Sequence, residues 1–290
     1  MKTVDRATFA PVDGAVPFLK WAGGKRRLLK QYAPYFPSRS SIERYYEPFI
    51  GSAAVFFRLQ PDSACLADVN SQLVEVYRVV QRDVDGLIQS LKVHRNERAY
   101  YYEVRAQDPG QLSPIERAGR LIFLNRTCYN GLYRENKKGK FNVPFGRYAN
   151  PTICDEGRLH RASQALQGVD LVDADFEEVV STAGAGDFVY FDPPYAPLSA
   201  TSNFTSYNRY GFGLADQRRL ASVIEQLTGR GCRVMLSNSS APLVTELYDR
   251  PEYRLVPIMA RRNINSKAEG RGPVKELLIL NYDPGESVGQ

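Results

Sequence analysis

The sequence predicts an α/β fold in which a mostly parallel sheet has helices on both faces and is interrupted by an inserted, mainly helical segment. Three observations predict it. An early stretch reads strand, Gly-bearing turn, helix, strand, acid, which is the opening half of a nucleotide-binding unit. The alternation then gives way to helical spacing followed by a long polar loop. It resumes afterwards and runs to the C-terminal region.

The elements follow in order. Ile42 to Phe49 is rich in aromatics and β-branched residues and predicts a strand. Gly51 opens a helical run from Ser52 to Leu59, and Ala64 to Ala67 is a short buried strand ending at Asp68. Gln72 to Leu91 has helical apolar spacing, as does most of Arg98 to Asn125 around the break at Asp108-Pro109-Gly110. Thr127 to Asn150 is polar and Gly-bearing, a long functional loop. Leu171 to Val172 and Phe188 to Phe191 are strands, and Asp216 to Leu227 is a helix with an acid capping its start. Arg233 to Leu236 is a strand, and Arg254 to Met259 with Val274 to Asn281 forms a closing antiparallel pair. The chain divides into residues 1–70, an insertion at 71–155, and a remainder at 156–290.

Its 290 residues are 43% hydrophobic and 24% charged, an ordinary globular composition. No run of about eighteen apolar residues exists to span a membrane. Met1 to Pro17 reads as a disordered arm rather than a signal peptide. Cys65, Cys128, Cys154 and Cys232 stand at no metal-ligand spacing from each other or from His94 and His160. A cytoplasmic monomer without a metal is expected. The net charge is +6, and its distribution is uneven. Between Arg117 and Asn150 eight basic residues face the single acid Glu135, with Tyr129, Tyr133, Phe141, Phe145 and Tyr148 interleaved. Charge with stacking surface suits nucleic acid. A second basic stretch runs from Arg261 to Lys275. Either stretch alone is also compatible with a solvated loop.

The sharpest motif is Asp192-Pro193-Pro194-Tyr195, directly after an apolar strand, where ligands of open α/β sheets bind. The prolines stiffen the turn. That aims the Asp192 carboxylate and the Pro193 carbonyl at one spot, where both can accept hydrogens from an exocyclic amine, and Tyr195 can stack on a base. A second motif, Glu47-Pro48-Phe49-Ile50-Gly51-Ser52-Ala53-Ala54, is a tight turn after the first strand. Asp68 at the end of the next strand can hold ribose hydroxyls. Asp175-Phe176 offers an acid and a ring to a purine, although Asp175 reads equally as a helix cap. Glu47, Phe49, Gly51, Asp68, Asp175 and Phe176 are therefore candidate cofactor contacts. The third motif, Phe18-Leu19-Lys20-Trp21-Ala22-Gly23-Gly24-Lys25, carries the lone tryptophan between two lysines.

Together and in this order, the Lys-Trp-Ala-Gly-Gly-Lys, Glu-Pro-Phe-Ile-Gly and Asp-Pro-Pro-Tyr segments resemble the Dam family of N6-adenine DNA methyltransferases. The similarity runs roughly from Phe18 to Pro284. It includes Leu124-Asn125-Arg126, Tyr129-Asn130-Gly131-Leu132, Phe141 to Tyr148, Ala196 to Thr201 and Asn203-Phe204-Thr205. The resemblance implies a Rossmann-like sheet that binds S-adenosyl-L-methionine (AdoMet) and releases S-adenosyl-L-homocysteine, an insertion that recognises double-stranded DNA, and the site GATC. It implies that Trp21, Lys25, Asp68 and Asp192 contact AdoMet and that Asp192, Pro193, Pro194 and Tyr195 hold a flipped adenine. It places Lys20 and Tyr148 at the first guanine, Arg134 at the outer base pair, and Leu132 and Pro144 in apolar base contact. Tyr129 would enter the stack, Asn130 would face the orphaned base, and Asn142 would join the DNA contacts. Arg126, Arg147, Lys137 and Lys140 would meet phosphates. Two positions depart from the family: Ala53 stands where Gly is common, and Thr127-Cys128 where an aromatic and a Gly are common.

Alternatives are methylation of cytosine N4, whose enzymes usually carry Ser at the Asp192 position, of protein glutamine, which usually goes with Asn there, and of RNA. A binding-only DNA module and a nucleotide-binding dehydrogenase are the readings from other classes; the second leaves the proline turn and the basic insertion unexplained.

Overall fold

The computed structural model describes residues 10–136, 138–198, 211–261 and 273–284. Lys137, the Ser199 to Thr201 and Asn203 to Thr205 segments, and the basic stretch from 262 to 272 lie outside the described residues. The elements are α1 (Leu29–Tyr32), β1 (Tyr45–Glu47), α2 (Ala54–Leu59), β2 (Ala64–Ala67), α3 (Ser71–Arg82), α4 (Val84–Lys92), α5 (Arg98–Ala106), α6 (Pro114–Thr127), α7 (Glu156–Ala165), β3 (Asp170–Val172), α8 (Phe176–Val179), β4 (Phe188–Phe191), α9 (Leu214–Gly229), β5 (Arg233–Ser239), α10 (Pro242–Tyr248), β6 (Arg254–Arg261) and β7 (Pro273–Leu280).

One seven-stranded sheet has the order β3-β2-β1-β4-β5-β7-β6. The first five are parallel neighbours, and β7 runs antiparallel to both β5 and β6. Strand alternation divides the core between two faces. Tyr45, Leu66, Phe188, Tyr190, Met235 and Leu278 face the helices α2, α3, α4, α6 and α7. Tyr46, Val189, Phe191, Leu236 and Ile279 face α8, α9 and α10. Burying each such large side chain contributes about 1.5–3 kcal/mol. The segment 71–155 is tied into the first face through α3, α4 and α6. It also has a small core of its own, built on Tyr101, Val104, Phe123, Leu124, Cys128 and Val143.

Several expectations are revised. The first strand is only Tyr45–Glu47, because Pro48 and the following turn leave the ladder. The next helix starts at Ala54, two residues later than expected, because Ala53 is left-handed at φ 53°. The helical run at Gln72 to Leu91 is two helices. They break at Asp83, whose carboxylate caps α4 by accepting from Gly86 N at 2.9 Å. Asp216 is not the cap of α9. Gly213 holds that place, and Asp216 reaches back to its N–H at 2.8 Å. The helices α7 and α10 were not anticipated.

Glu47 ends β1 at 3% exposure. Its Oε2 accepts from Tyr45 Oη at 2.8 Å and Phe56 N at 3.1 Å, so it fastens the start of α2 to the sheet. Burial pushes its carboxyl from the ordinary 4.5 to about 8. The native state therefore keeps a proton that the unfolded chain loses above about 4.5. Stability from this group is present in full below that pH and declines as pH rises towards about 8. Relative to Glu47→Gln, the native chain is expected to lose ~1.4 kcal/mol per pH unit across that window in urea unfolding. A difference that does not vary with pH would show that Glu47 ionises normally.

Candidate active site

The carboxyl ends of β1, β2 and β4 lie side by side in the parallel ladder, so the turns after them converge. The turn after β4 is Asp192 to Tyr195. Lys25 Nζ reaches both Asp192 oxygens, at 2.6 and 2.7 Å, and also donates to Gly23 O at 2.6 Å. Ser237 Oγ donates to Asp192 Oδ1 at 2.8 Å. Oδ1 thus accepts twice, from Lys25 and Ser237, whereas Oδ2 accepts from Lys25 alone and keeps a lone pair. Behind the turn, Gln217 Nε2 donates to Pro194 O at 2.9 Å, and Asn238 Nδ2 donates to Gln217 Oε1 at 3.1 Å. Asn238 Oδ1 in turn accepts from Ala196 N at 3.1 Å. The motif is thus sewn to the end of β5 and to α9. Among the described residues no donor takes the Pro193 carbonyl. The Tyr195 ring is partly exposed, with Lys25 Nζ 4.8 Å from its centroid.

The turn after β1 has Gly51 at φ +43°. A Cβ there would come within 2.9 Å of Trp21 Cδ1, so the tryptophan ring lies directly on the turn. Gly51 N points at Asp68 Oδ2 at 3.5 Å, and Asn70 N donates to Asp68 Oδ1 at 3.0 Å. Burial pushes the Asp68 carboxyl up to about 6, against these backbone donors, with no cation among its causes. Ala53 sits at 0% exposure in the left-handed region that glycine adopts more easily, which is what its departure from the family pattern amounts to.

Lys25, Asp192 and Tyr195 form one contact group and Trp21, Gly51 and Asp68 another, joined by the short segment from Trp21 to Lys25. Four other candidate cofactor residues are placed differently. Glu47 is buried beneath the turn. Asp175 caps α8 through Glu177 N at 3.0 Å and is gripped by Arg219 at 2.6 and 2.9 Å, which holds its carboxyl below the ordinary range. Phe176 is 2% exposed under the Arg219 guanidinium, and Phe49 stacks on it at 5.6 Å.

The basic loop folds as an irregular antiparallel hairpin with bridges Cys128–Phe145 and Glu135–Phe141. Tyr129 stands at its base with 51% exposure, followed by Asn130 at φ 56°. Pro144 O accepts from Tyr129 N at 2.9 Å, and Leu132 is half-buried. Arg134 is exposed and donates to Asn142 Oδ1 at 2.7 Å. Lys140 and Arg147 are exposed. Arg126 turns inward instead, donating to Phe18 O at 2.7 Å. Lys20 Nζ lies 3.8 Å from the Tyr148 ring centroid, and burial, then Arg126, lowers its ammonium below the ordinary range.

Residues to which the sequence assigned no role join the two halves. Asn125, at 1% exposure, accepts from Lys20 N at 2.9 Å and donates to Lys20 O at 2.7 Å and Gly131 O at 3.1 Å. Trp21 stacks on Tyr133 at 5.3 Å, and Tyr133 donates to Glu135. Ser237, Gln217, Asn238 and Arg219 carry no sequence signal, because each meets its partner across a long separation.

A family model described as D12 class N6 adenine-specific DNA methyltransferase matches residues 21–264. The chain is 43% identical to the Type II methyltransferase M1.LlaDCHI of Lactococcus lactis subsp. cremoris, over 92% of this chain and 95% of the relative. It is 43% identical to the Type II methyltransferase M.MjaIII of Methanocaldococcus jannaschii, over 92% and 99%. It is 38% identical to the DNA adenine methylase of Escherichia coli K12, over 92% and 95%. The chain belongs to the D12 class of N6-adenine-specific DNA methyltransferases, and the resemblance to the Dam family holds. Its substrate is DNA, its reaction is methyl transfer to adenine N6, and the cytosine, glutamine and dehydrogenase readings fall away. Among the described residues no helix is long and apolar enough to cross a membrane, and no cluster of His, Cys, Asp and Glu could hold a metal.

Trp21 is the single tryptophan, so its emission reports on this site. Gly51→Ala forces a side chain to φ +43° against the indole. A loss of about 1–2 kcal/mol in stability is expected, with a shift in Trp21 emission. Unchanged melting and unchanged emission would remove Gly51 from beneath Trp21.

Proposed function

We propose that this chain transfers a methyl group from AdoMet to the N6 of an adenine flipped out of a GATC site in double-stranded DNA. The observation that carries the reading is the Asp192 turn at the carboxyl end of β4, held by Lys25 and Ser237 with a lone pair of Oδ2 and the Pro193 carbonyl still without donors among the described residues.

The residues fit AdoMet. The Gly51 turn brings backbone close where a Cβ would collide, and Asp68 holds only backbone donors, leaving acceptor capacity for ribose hydroxyls. Trp21 and Lys25 close over the same space, and the exposed edge of Phe49 borders it. Asp175 and Phe176 shape that border from behind, and Glu47 supports it from below. When bound, AdoMet supplies an activated methyl on a sulfonium, so no covalent enzyme intermediate is needed.

Asp192 and the Pro193 carbonyl accept the two N6 hydrogens. This draws the nitrogen lone pair out of conjugation with the purine and leaves it nucleophilic. Lys25 pairs with the carboxylate, Ser237 fixes its orientation, and Tyr195 stacks on the base. Bound AdoMet would give its methyl group to N6 and leave as the thioether, while Asp192 or solvent would take the N6 proton. Alignment and charge placement are the enzyme's contribution.

A base inside a duplex cannot reach this cleft, so it must be extruded. The exposed Tyr129 ring is a wedge for the gap, and Asn130 faces the orphaned partner. Arg134 suits the paired acceptors of a guanine, worth ~1–3 kcal/mol of discrimination, and Asn142 orients it. Lys20 with Tyr148 addresses the opposite guanine, and Leu132 and Pro144 suit thymine methyls. Arg147 and Lys140 meet the phosphates, whereas the inward-turned Arg126 acts there only with its free edge. The residues 71–155 serve as the recognition insertion.

The test is methyl transfer from labelled AdoMet to two duplexes that differ only in carrying GATC or GTTC on both strands. Label confined to the first, recovered as N6-methyladenine, is expected. Equal labelling would discard the recognition assignment and keep the reaction; no label in either would discard both.

A further inference from the structure

On the face of the sheet that carries Tyr190 and Met235, four oxygen-bearing side chains gather behind the Asp192 turn. Tyr32 is 0% exposed and Tyr190 1%. Tyr190 Oη lies 3.0 Å from Ser237 Oγ. The fourth is Glu276 of β7, opposite Ser239 of β5 and Ile258 of β6 in the ladder. Because β7 is antiparallel to β5, it enters the sheet at the edge where the parallel strands end. Its first turn of residues therefore reaches the active site, which a parallel strand's first residues would not.

Glu276 Oε2 accepts from Tyr195 Oη at 2.8 Å, its one hydrogen bond among the described residues. The Tyr195 ring thus has three constraints. Its backbone follows two prolines, its hydroxyl is tied to β7, and the Lys25 ammonium stands 4.8 Å from its centroid. Only the first of these is local in sequence. Without the anchor at its far end, the ring could rotate about its side-chain bonds while the proline turn stayed in place.

Resting on the function proposed above, we infer that Glu276 is a positioning residue for methyl transfer. It holds the Tyr195 ring at the angle against which the flipped adenine lies, and so aligns N6 with the methyl carbon. Small misplacements of a reacting atom cost about a hundredfold in rate.

The test is a double-mutant cycle on single-turnover methylation of a GATC duplex, using the full chain with Glu276→Gln, Glu276→Leu, Tyr195→Phe and the two double variants. Glu276→Leu and Tyr195→Phe are each expected to slow the chemical step about ten- to a hundredfold while Trp21 emission on AdoMet titration is unchanged. Each double variant is expected to be no slower than its slower single, since both substitutions break one bond. Glu276→Gln keeps an acceptor and is expected to stay within a fewfold of the native rate. Losses that multiply would overturn the inference, as would an effect of Glu276→Gln that persists in the Tyr195→Phe background. If the leucine variant does not fold, Glu276→Ala takes its place in the cycle with the same expected loss, and an alanine variant as fast as the native enzyme would overturn the inference. A native enzyme that labels no adenine would instead overturn the function on which the inference rests.

Discussion

The Lys25–Asp192 ion pair aims a carboxylate at the rim of an apolar sheet, and the rest of the site is built around it. Lys25 is 4% exposed and touches both Asp192 oxygens. Removing one partner of such a pair typically costs about 3–5 kcal/mol, because the other charge is left buried and unpaired. The pair spans 167 positions of sequence and locks the segment before β1 onto the turn after β4. Ser237, Asn238 and Gln217 then fix the remaining freedom of that turn from β5 and α9.

Once Lys25 is placed, the residues just before it are placed too, and they face two ways. Trp21 lies on the Gly51 turn, while Lys20 packs against Tyr148 and Gly131 of the hairpin. Asn125 holds both peptide groups of Lys20 and the Gly131 carbonyl at once, and Trp21 stacks on Tyr133. The Gly51 turn and the hairpin that carries Tyr129 and Asn130 therefore share one short segment. Gly131 is glycine for a steric reason here: its φ is +63° and a Cβ would meet Lys20 Cδ at 2.5 Å.

What was legible in the sequence was what is local. Asp192-Pro193-Pro194-Tyr195, the Gly51 turn and Asp68 all stand out because a few adjacent residues state both a backbone shape and a chemistry. The succession of strands along the chain, including the closing antiparallel pair, was legible from composition and turn signals, whereas their order in the sheet was not. The partners of those motifs were not legible, because each acts across a long sequence separation. Ser237 lies 45 positions from Asp192, Glu276 lies 81 from Tyr195, and Asn125 lies 105 from Lys20. Asp175 read equally as a cap or as a ligand contact; the capping bond and the Arg219 fork give the first reading a geometry. Arg126 looked like any other arginine of a basic stretch, and only the fold turns it towards Phe18.

The central claim is that Asp192 acts on the adenine amine and not in holding DNA. The most direct measurement pairs two readings on one variant, Asp192→Ala: label transferred from AdoMet to a GATC duplex, and equilibrium binding of that duplex. Turnover abolished with duplex binding retained is the predicted result. Normal turnover by the variant would contradict the claim.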